Sequence, residues 1–166
     1  MERVNHPSHY NSHPSGIECI SVIRHYVYDI GCAVKYLGRA GLKKEQGQAD
    51  RQKEAEDLRK ALWYIEDYKG YCRTDIEGNA ISSAGCTSEL VRQLTGHSIA
   101  AITEGYDQNV QQALMCLLRV GIIHNQDVWV DRKWRSLLHT AATAIRTRVC
   151  ALEQTEVDHK EAGCRI

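Results

Sequence analysis

Apolar residues in this chain recur at intervals of three and four and almost nowhere at two, which restricts what it can fold into to helices. Between positions 50 and 71, Ala55, Leu58, Leu62 and Ile65, with Cys72 just beyond, fall on one face of a long amphipathic helix. Upstream, Ile17, Ile20, Ile23 and Val27 set one helical stripe, and Ile30, Ala33, Val34 and Leu37 repeat it before Gly41 supplies a stop. These predict two short helices or one bent helix, enough with the long helix to close a small core. Downstream, Val110, Leu114, Leu117 and Leu118 mark a helix ending near Gly121. Asp131 is placed to cap a further helix that carries Trp134, Leu138, Ala141, Ile145, Val149 and Leu152 inward. Shorter helices are expected over 88–94 and 98–104, and only 128–130 alternates with period two. The expected class is all-α.

Tyrosine and tryptophan are distributed unevenly along the 166 residues. Seven of the eight tyrosines lie at or before Tyr71, while Trp129 and Trp134 lie in the second half. Turn and breaker residues cluster at Thr74 to Asn79 and at Ser82 to Gly85. The organisation expected is therefore a helical domain over 1–72, a linker over 73–85 and a second helical domain over 86–166. Pro7 and Pro14 hold the first dozen residues in an extended arm that lies across the N-terminal three-helix unit.

The formal net charge is zero, so no global field recruits nucleic acid or mimics it, and any charged partner must be read locally. Seven cysteines are scattered without paired short spacing and make an odd total, which reads as reduced thiols in a cytosol. The sequence opens on polar residues with no leader-length apolar run, and no stretch approaches a membrane span. The expected location is the cytoplasm.

Three groups of residues carry candidate chemistry. Lys35 and Arg39 lie four apart on the side opposite the Ile30 to Leu37 stripe and form a cationic patch; Lys43 and Lys44 follow beyond Gly41. An arginine fork with compact lysine charges suits a phosphate group, although a solvated basic face has the same pattern. Asp57, Lys60 and Tyr64 run along one flank of the long helix and can border a cleft between helices, with Glu18 adding a second carboxylate. A surface pairing of Asp57 with Lys60 is the plainer account. In the arm, His9 and Tyr10 can contact a base, sugar or phosphate oxygen, or simply lock the arm down by packing. His6, His9 and His13 also invite a metal, but the prolines do not fix three rings on one face and no second cluster completes a site, so no metal ligand is assigned.

In order along the chain stand Pro7-Ser8-His9-Tyr10, Gly16-Ile17-Glu18-Cys19-Ile20, Lys35-Tyr36-Leu37-Gly38-Arg39-Ala40-Gly41 and Asp57-Leu58-Arg59-Lys60-Ala61. From Val4 to Tyr71 this series resembles the phage SaV-like family of small proteins, which includes a nucleotide kinase without the usual phosphate-binding loop. The resemblance implies a phage protein acting in the infected host cytosol, with a nucleotide-binding or nucleoside-monophosphate kinase domain. It implies that Lys35 and Arg39 bind phosphate, that Asp57 and Glu18 orient the acceptor or a divalent ion such as Mg2+, and that His9, Tyr10, Lys60 and Tyr64 contact substrate. No Gly-rich loop ending in Gly-Lys-Ser/Thr is present, so an ordinary phosphate cradle is excluded. Glu56-Asp57-Leu58 leading to Ala61-Leu62-Trp63-Tyr64 is also similar to helical nucleotide pyrophosphohydrolases, without their full set of paired acidic helices.

A reading of a different class stays open: a non-catalytic phage interaction protein that inhibits a host defence complex, such as an anti-CRISPR, through its second unit. There Arg119, Arg132, Lys133, Arg135, Arg146 and Arg148 outnumber Asp127 and Asp131, with Trp129 and Trp134 interleaved, a pattern open to nucleic acid, to an acidic protein or to solvent alone. Trp63 falls near the polar face of the long helix with Glu56, Arg59 and Asp67, where a large aromatic usually covers another surface: the second unit or another copy of the chain. A homo-oligomer is expected.

Overall fold

In a computed structural model the chain is described over residues 15–42, 44, 46–71, 87–121 and 134–163. These residues are all-α and contain no strand. The helices are α1 (Cys19–Ile23), α2 (Tyr28–Arg39), α3 (Asp50–Tyr71), α4 (Ser88–Thr95), α5 (Ile99–Thr103), α6 (Gln108–Leu117) and α7 (Trp134–Gly163). The expected arm, the linker over 73–85, the short alternation at 128–130 and the Asp131 cap lie outside the described residues.

α3 packs against α2 on one side and α7 on the other, and α7 also packs against α6. The stripe predicted for α3 is found buried at Ala55, Leu58 and Ile65; Ala61 and Tyr68 join it, and Leu62 is only partly covered. From α7, Leu138, Ala141, Ile145, Val149 and Leu152 point inward as their spacing requires. Buried residues from both sides of 73–85 belong to one apolar cluster.

The first stripe is cut shorter than its spacing predicts. α1 stops at Ile23 and leaves Ile20 49% exposed. The Tyr26 amide still bonds locally to the Ile23 carbonyl, but its buried hydroxyl donates to the Leu118 carbonyl at 2.8 Å, and the next amide, that of Val27, leaves the helical pattern and donates to the Gly121 carbonyl at 2.7 Å. Two chain segments 92 residues apart are thereby tied together just before α2 begins.

The short helices of the second half are held by their ends. Thr87 Oγ1 accepts from the Leu90 amide, Ser98 Oγ from the Ala101 amide and Asp107 Oδ1 from the Asn109 amide, so each helix start satisfies an otherwise orphan donor. Asp107 also takes Arg148 Nη1 at 3.3 Å, while Arg148 Nε donates to Glu54 at 2.8 Å; one α7 side chain thus links α3 to the start of α6.

Gly121 sits at φ +74° with its carbonyl turned to Val27. A Cβ there would stand 2.7 Å from Ile30 Cγ1 and 2.9 Å from Val27 Cγ2. Gly121→Ala combines a left-handed backbone with overpacking and is expected to lower stability by about 2–4 kcal/mol. Urea denaturation followed by far-UV circular dichroism measures this, and a loss below half that range would show that the α2 entry can shift to accept the methyl.

Candidate functional site

The flank of α3 predicted to border a cleft does face another helix, α2. Along α2 run Tyr28, Cys32, Lys35, Tyr36 and Arg39; along α3, in the opposite direction, run Asp67, Tyr64, Trp63, Lys60, Asp57 and Glu56. The seam between these rows holds the chemistry-bearing residues that the sequence singled out on the two helices.

Arg39 is where the structure departs most from the sequence reading. It is not on an open cationic face: it is 8% exposed and meets Asp57, which is fully buried. Arg39 Nη2 donates to Asp57 Oδ1 at 2.7 Å and Nε to Oδ2 at 3.1 Å, a two-pronged pairing that a lysine could not make. The correction has a simple cause. A helical wheel assumes one covered face, whereas α2 is covered by the apolar core and, on the adjoining flank, by α3. The simple surface pairing of Asp57 with Lys60 is likewise not what forms: Lys60 pairs with Glu56, one turn earlier on α3.

Lys53, which sequence reasoning passed over, and Glu56, which it gave no role at this site, complete the cluster. Lys53, almost fully buried, lies 3.0 Å from Glu56 Oε2 and 3.8 Å from Asp57 Oδ1. Their positions relative to Asp57 and Lys60, four residues along the same helix in each case, were the available signal. Lys60, then Lys53 and Gln48, hold the Glu56 carboxyl down at about 2 by hydrogen bonding.

Cations also converge on one ring. The Arg39 guanidinium carbon lies 4.4 Å from the Tyr36 ring centre, Lys60 Nζ 5.7 Å and Lys35 Nζ 5.9 Å, all within the range of cation–π attraction. Tyr36 is stacked on Tyr64 at 5.7 Å and 19°, and Tyr64 meets Tyr28 and Trp63 edge-on at 6.0 and 4.9 Å. A hydrogen bond with Tyr28, followed by desolvation, pushes the Tyr64 phenol well up, so it stays protonated at neutral pH. The outer end of this aromatic row is open: Tyr28 is 74% and Trp63 61% exposed. One reading of Trp63 expected the second half to cover it; among the described residues it is left 61% exposed. Beyond Tyr28 the sign of the charge changes; burial, then the neighbouring Asp67 carboxylate, pushes the Asp29 carboxyl up.

Glu18 stands half-buried at the N-cap of α1, its backbone carbonyl accepting from the Ser21 amide and hydroxyl. Next to it, the Cys19 thiol borders a cavity of about 30 Å³, room for about one water, shared with Val34, Gly38 and Tyr106. Burial pushes Cys19 up to about 11 despite Lys35 and Arg39 nearby, so it is no thiolate nucleophile at neutral pH. Among the described residues no group of three or more His, Cys, Asp or Glu side chains is placed to hold a metal ion. His6, His9, Tyr10, His13 and Lys43 lie outside the described residues.

Part of the basic excess read in the second half is paired with carboxylates of the fold. Arg146 pairs with Glu66 at 3.0 Å and Arg148 with Glu54 and Asp107, while Arg135 lies 5.2 Å from the Trp134 ring. Arg132, Lys133 and Trp129 are outside the described residues. No helix is long and apolar enough to cross a membrane among the described residues.

Residues 4–66 match the profile of a family described as a protein of unknown function (DUF3310), and over that stretch, which takes in α1, α2 and most of α3, the chain is similar to it. No curated protein and no solved structure matches the chain.

Removing one member of a buried pair strands the other charge. Arg39→Ala and Asp57→Ala are each expected to cost about 3–5 kcal/mol, whereas Arg39→Met combined with Asp57→Leu should recover most of the loss. Urea titrations of the three variants decide this; equal losses in single and double variants would mean that the site is not an isolated pair. Acid gives a second check. Because the Glu56 carboxyl is held at about 2 in the fold against an ordinary 4.5, its contribution is present above pH 4.5 and is lost as pH falls towards 2. The melting temperature should therefore decline over that window, and Glu56→Gln should flatten the decline, modestly because the carboxylate is 38% exposed and screened by water.

Proposed function

We propose that the chain binds a nucleotide through its phosphate at the Tyr36 end of the α2–α3 seam. The observation that carries this reading is the convergence of Lys35, Arg39 and Lys60 around the Tyr36 ring. Arg39, Lys53 and Lys60 are three cations against the two carboxylates Asp57 and Glu56, and Lys35 adds a further positive charge beside them. Such a local excess on a neutral chain attracts an anion.

The roles differ from those the sequence suggested. Lys35 and Lys60 are the direct phosphate ligands. Arg39 is held by Asp57 and sets their background field, so Asp57 acts through Arg39 rather than on a substrate. Glu18 remains the carboxylate that orients an acceptor, and His9 and Tyr10 close from the arm, as the resemblance to the SaV-like proteins implies. Tyr64 backs Tyr36 at the base of the site. Because Asp57 is bound by Arg39 and Lys53, the described residues do not fit a protein-held divalent ion; Mg2+ would arrive on the nucleotide phosphates. A nucleoside-monophosphate kinase activity is compatible with this layout, since phosphoryl transfer depends on positioning and charge stabilisation.

The exposed Trp63 and Tyr28 favour a second reading, a phage interaction protein directed against a host defence component. Its recognition surface would then be the aromatic end of the seam, because Arg146 and Arg148 of α7 are engaged with α3.

Thermal shift separates the two. Deoxynucleoside mono- and triphosphates should raise the melting temperature, since a ligand that binds only the folded state stabilises it by mass action. Lys35→Ala and Lys60→Ala should each reduce the shift while leaving the unliganded melting temperature nearly unchanged; Arg39→Ala is unsuitable because it breaks the buried pair. No shift with any nucleotide, or an undiminished shift in both lysine variants, removes the phosphate assignment. Phosphate transfer between nucleotides, measured on the same panel, tests catalysis.

A further inference from the structure

We propose that the outer face of the α2–α3 seam is a self-complementary surface that pairs with a second copy of this chain about a two-fold axis. Tyr28 and Trp63 are among the few large apolar side chains left in water, and they are neighbours, bridged by Tyr64. Contiguous exposed aromatics of this kind mark interaction surfaces rather than scattered surface residues.

Charge identifies the occupant. One end of the seam is positive, with Lys35 on α2 and Lys60 on α3; the other is negative, with Asp29 on α2 and Asp67 on α3. Position 32 lies midway between 29 and 35, and midway between Tyr28 and Tyr36; the midpoint of 60 and 67 falls between Trp63 and Tyr64. A two-fold axis through Cys32 and the Trp63–Tyr64 pair therefore sets the acidic end of each copy against the basic end of the other and lays the exposed aromatics together at the centre. An isologous contact requires this kind of self-complementarity, and a surface of one sign would forbid it. Across the axis, Asp67 of one copy faces Lys60 of the other, and Asp29 faces Lys35. The neighbouring carboxyls of Asp29 and Asp67 thereby gain opposite charge from the second copy.

The size of the face sets the strength. α2 is about 18 Å long and two adjacent helices are about 20 Å across, a footprint of about 360 Å² on each copy and about 700 Å² in total, which is a small interface. A face of this size fits a weak dimer, with a dissociation constant on the order of micromolar or higher. It does not rest on nucleotide binding, and because a phosphate at Lys35 and Lys60 would compete with the acidic end of the other copy, it is measured without ligand.

Sedimentation velocity of the full chain between about 1 and about 100 µM, the range spanned by a micromolar dissociation constant, tests the proposal. The dimer fraction should rise across that range. Trp63→Glu should be monomeric throughout with unchanged helical circular dichroism. Asp67→Lys alone and Lys60→Asp alone should each weaken dimerisation about tenfold or more, and the two together should restore it, because the swapped charges meet again across the axis. A wild-type chain that stays monomeric at the top concentration overturns the proposal, as does a dimer indifferent to Trp63→Glu. A double variant no better than either single variant overturns the two-fold register.

Discussion

The pairing of Arg39 with Asp57 is the contact that fixes how α2 lies against α3, and with it the arrangement of the seam. Apolar stripes attract two helices but let one slide along the other, since a leucine accepts several holes. A guanidinium bound at two points to a carboxylate accepts one position and one direction, and burial makes any other arrangement costly. With α2 and α3 pinned there, their antiparallel course brings Tyr36 onto Tyr64, Tyr28 against Tyr64 and Asp29 beside Asp67.

The same constraint sorts the charges of the seam by depth. Asp57 and Lys53 are sealed in with Arg39, and their job is positional. Lys60 and Lys35 lie at the border, half-buried and close to the Tyr36 ring, with Lys60 also paired to Glu56. On the opposite side of α3 the ion pairs with α7 neutralise Glu54 and Glu66, so the local positive excess is confined to one edge of the helix. A chain of zero net charge thereby acquires a polar axis along one face.

Much of the architecture was legible beforehand because helices announce themselves at short range. The limits of α3, the buried stripe of α2 and the inward face of α7 follow from apolar residues three and four apart, a spacing that depends on nothing distant. The site was legible only in its membership. Lys35, Arg39, Asp57, Lys60 and Tyr64 do gather at one seam, yet the depth of Arg39 and the partner of Lys60 were misjudged, because a side chain's neighbours come from another helix and a wheel drawn on one helix does not contain them. Lys53 was passed over for the same reason. An ammonium three residues before Glu56 and four before Asp57 looks like an ordinary surface charge until α2 is laid across it.

By itself, then, the sequence determined that this chain is helical, where its longer helices run and which face of each is apolar, since these are properties of residues within one or two turns of each other. Tertiary structure decided where α1 ends, because the Val27 amide donates to the Gly121 carbonyl instead of to a helical one and the Tyr26 hydroxyl is anchored on the Leu118 carbonyl. It also decided which charges are buried and which aromatics remain in water. Burial belongs to pairs of elements, and the free energy of a charge or a ring depends on what the second element places against it.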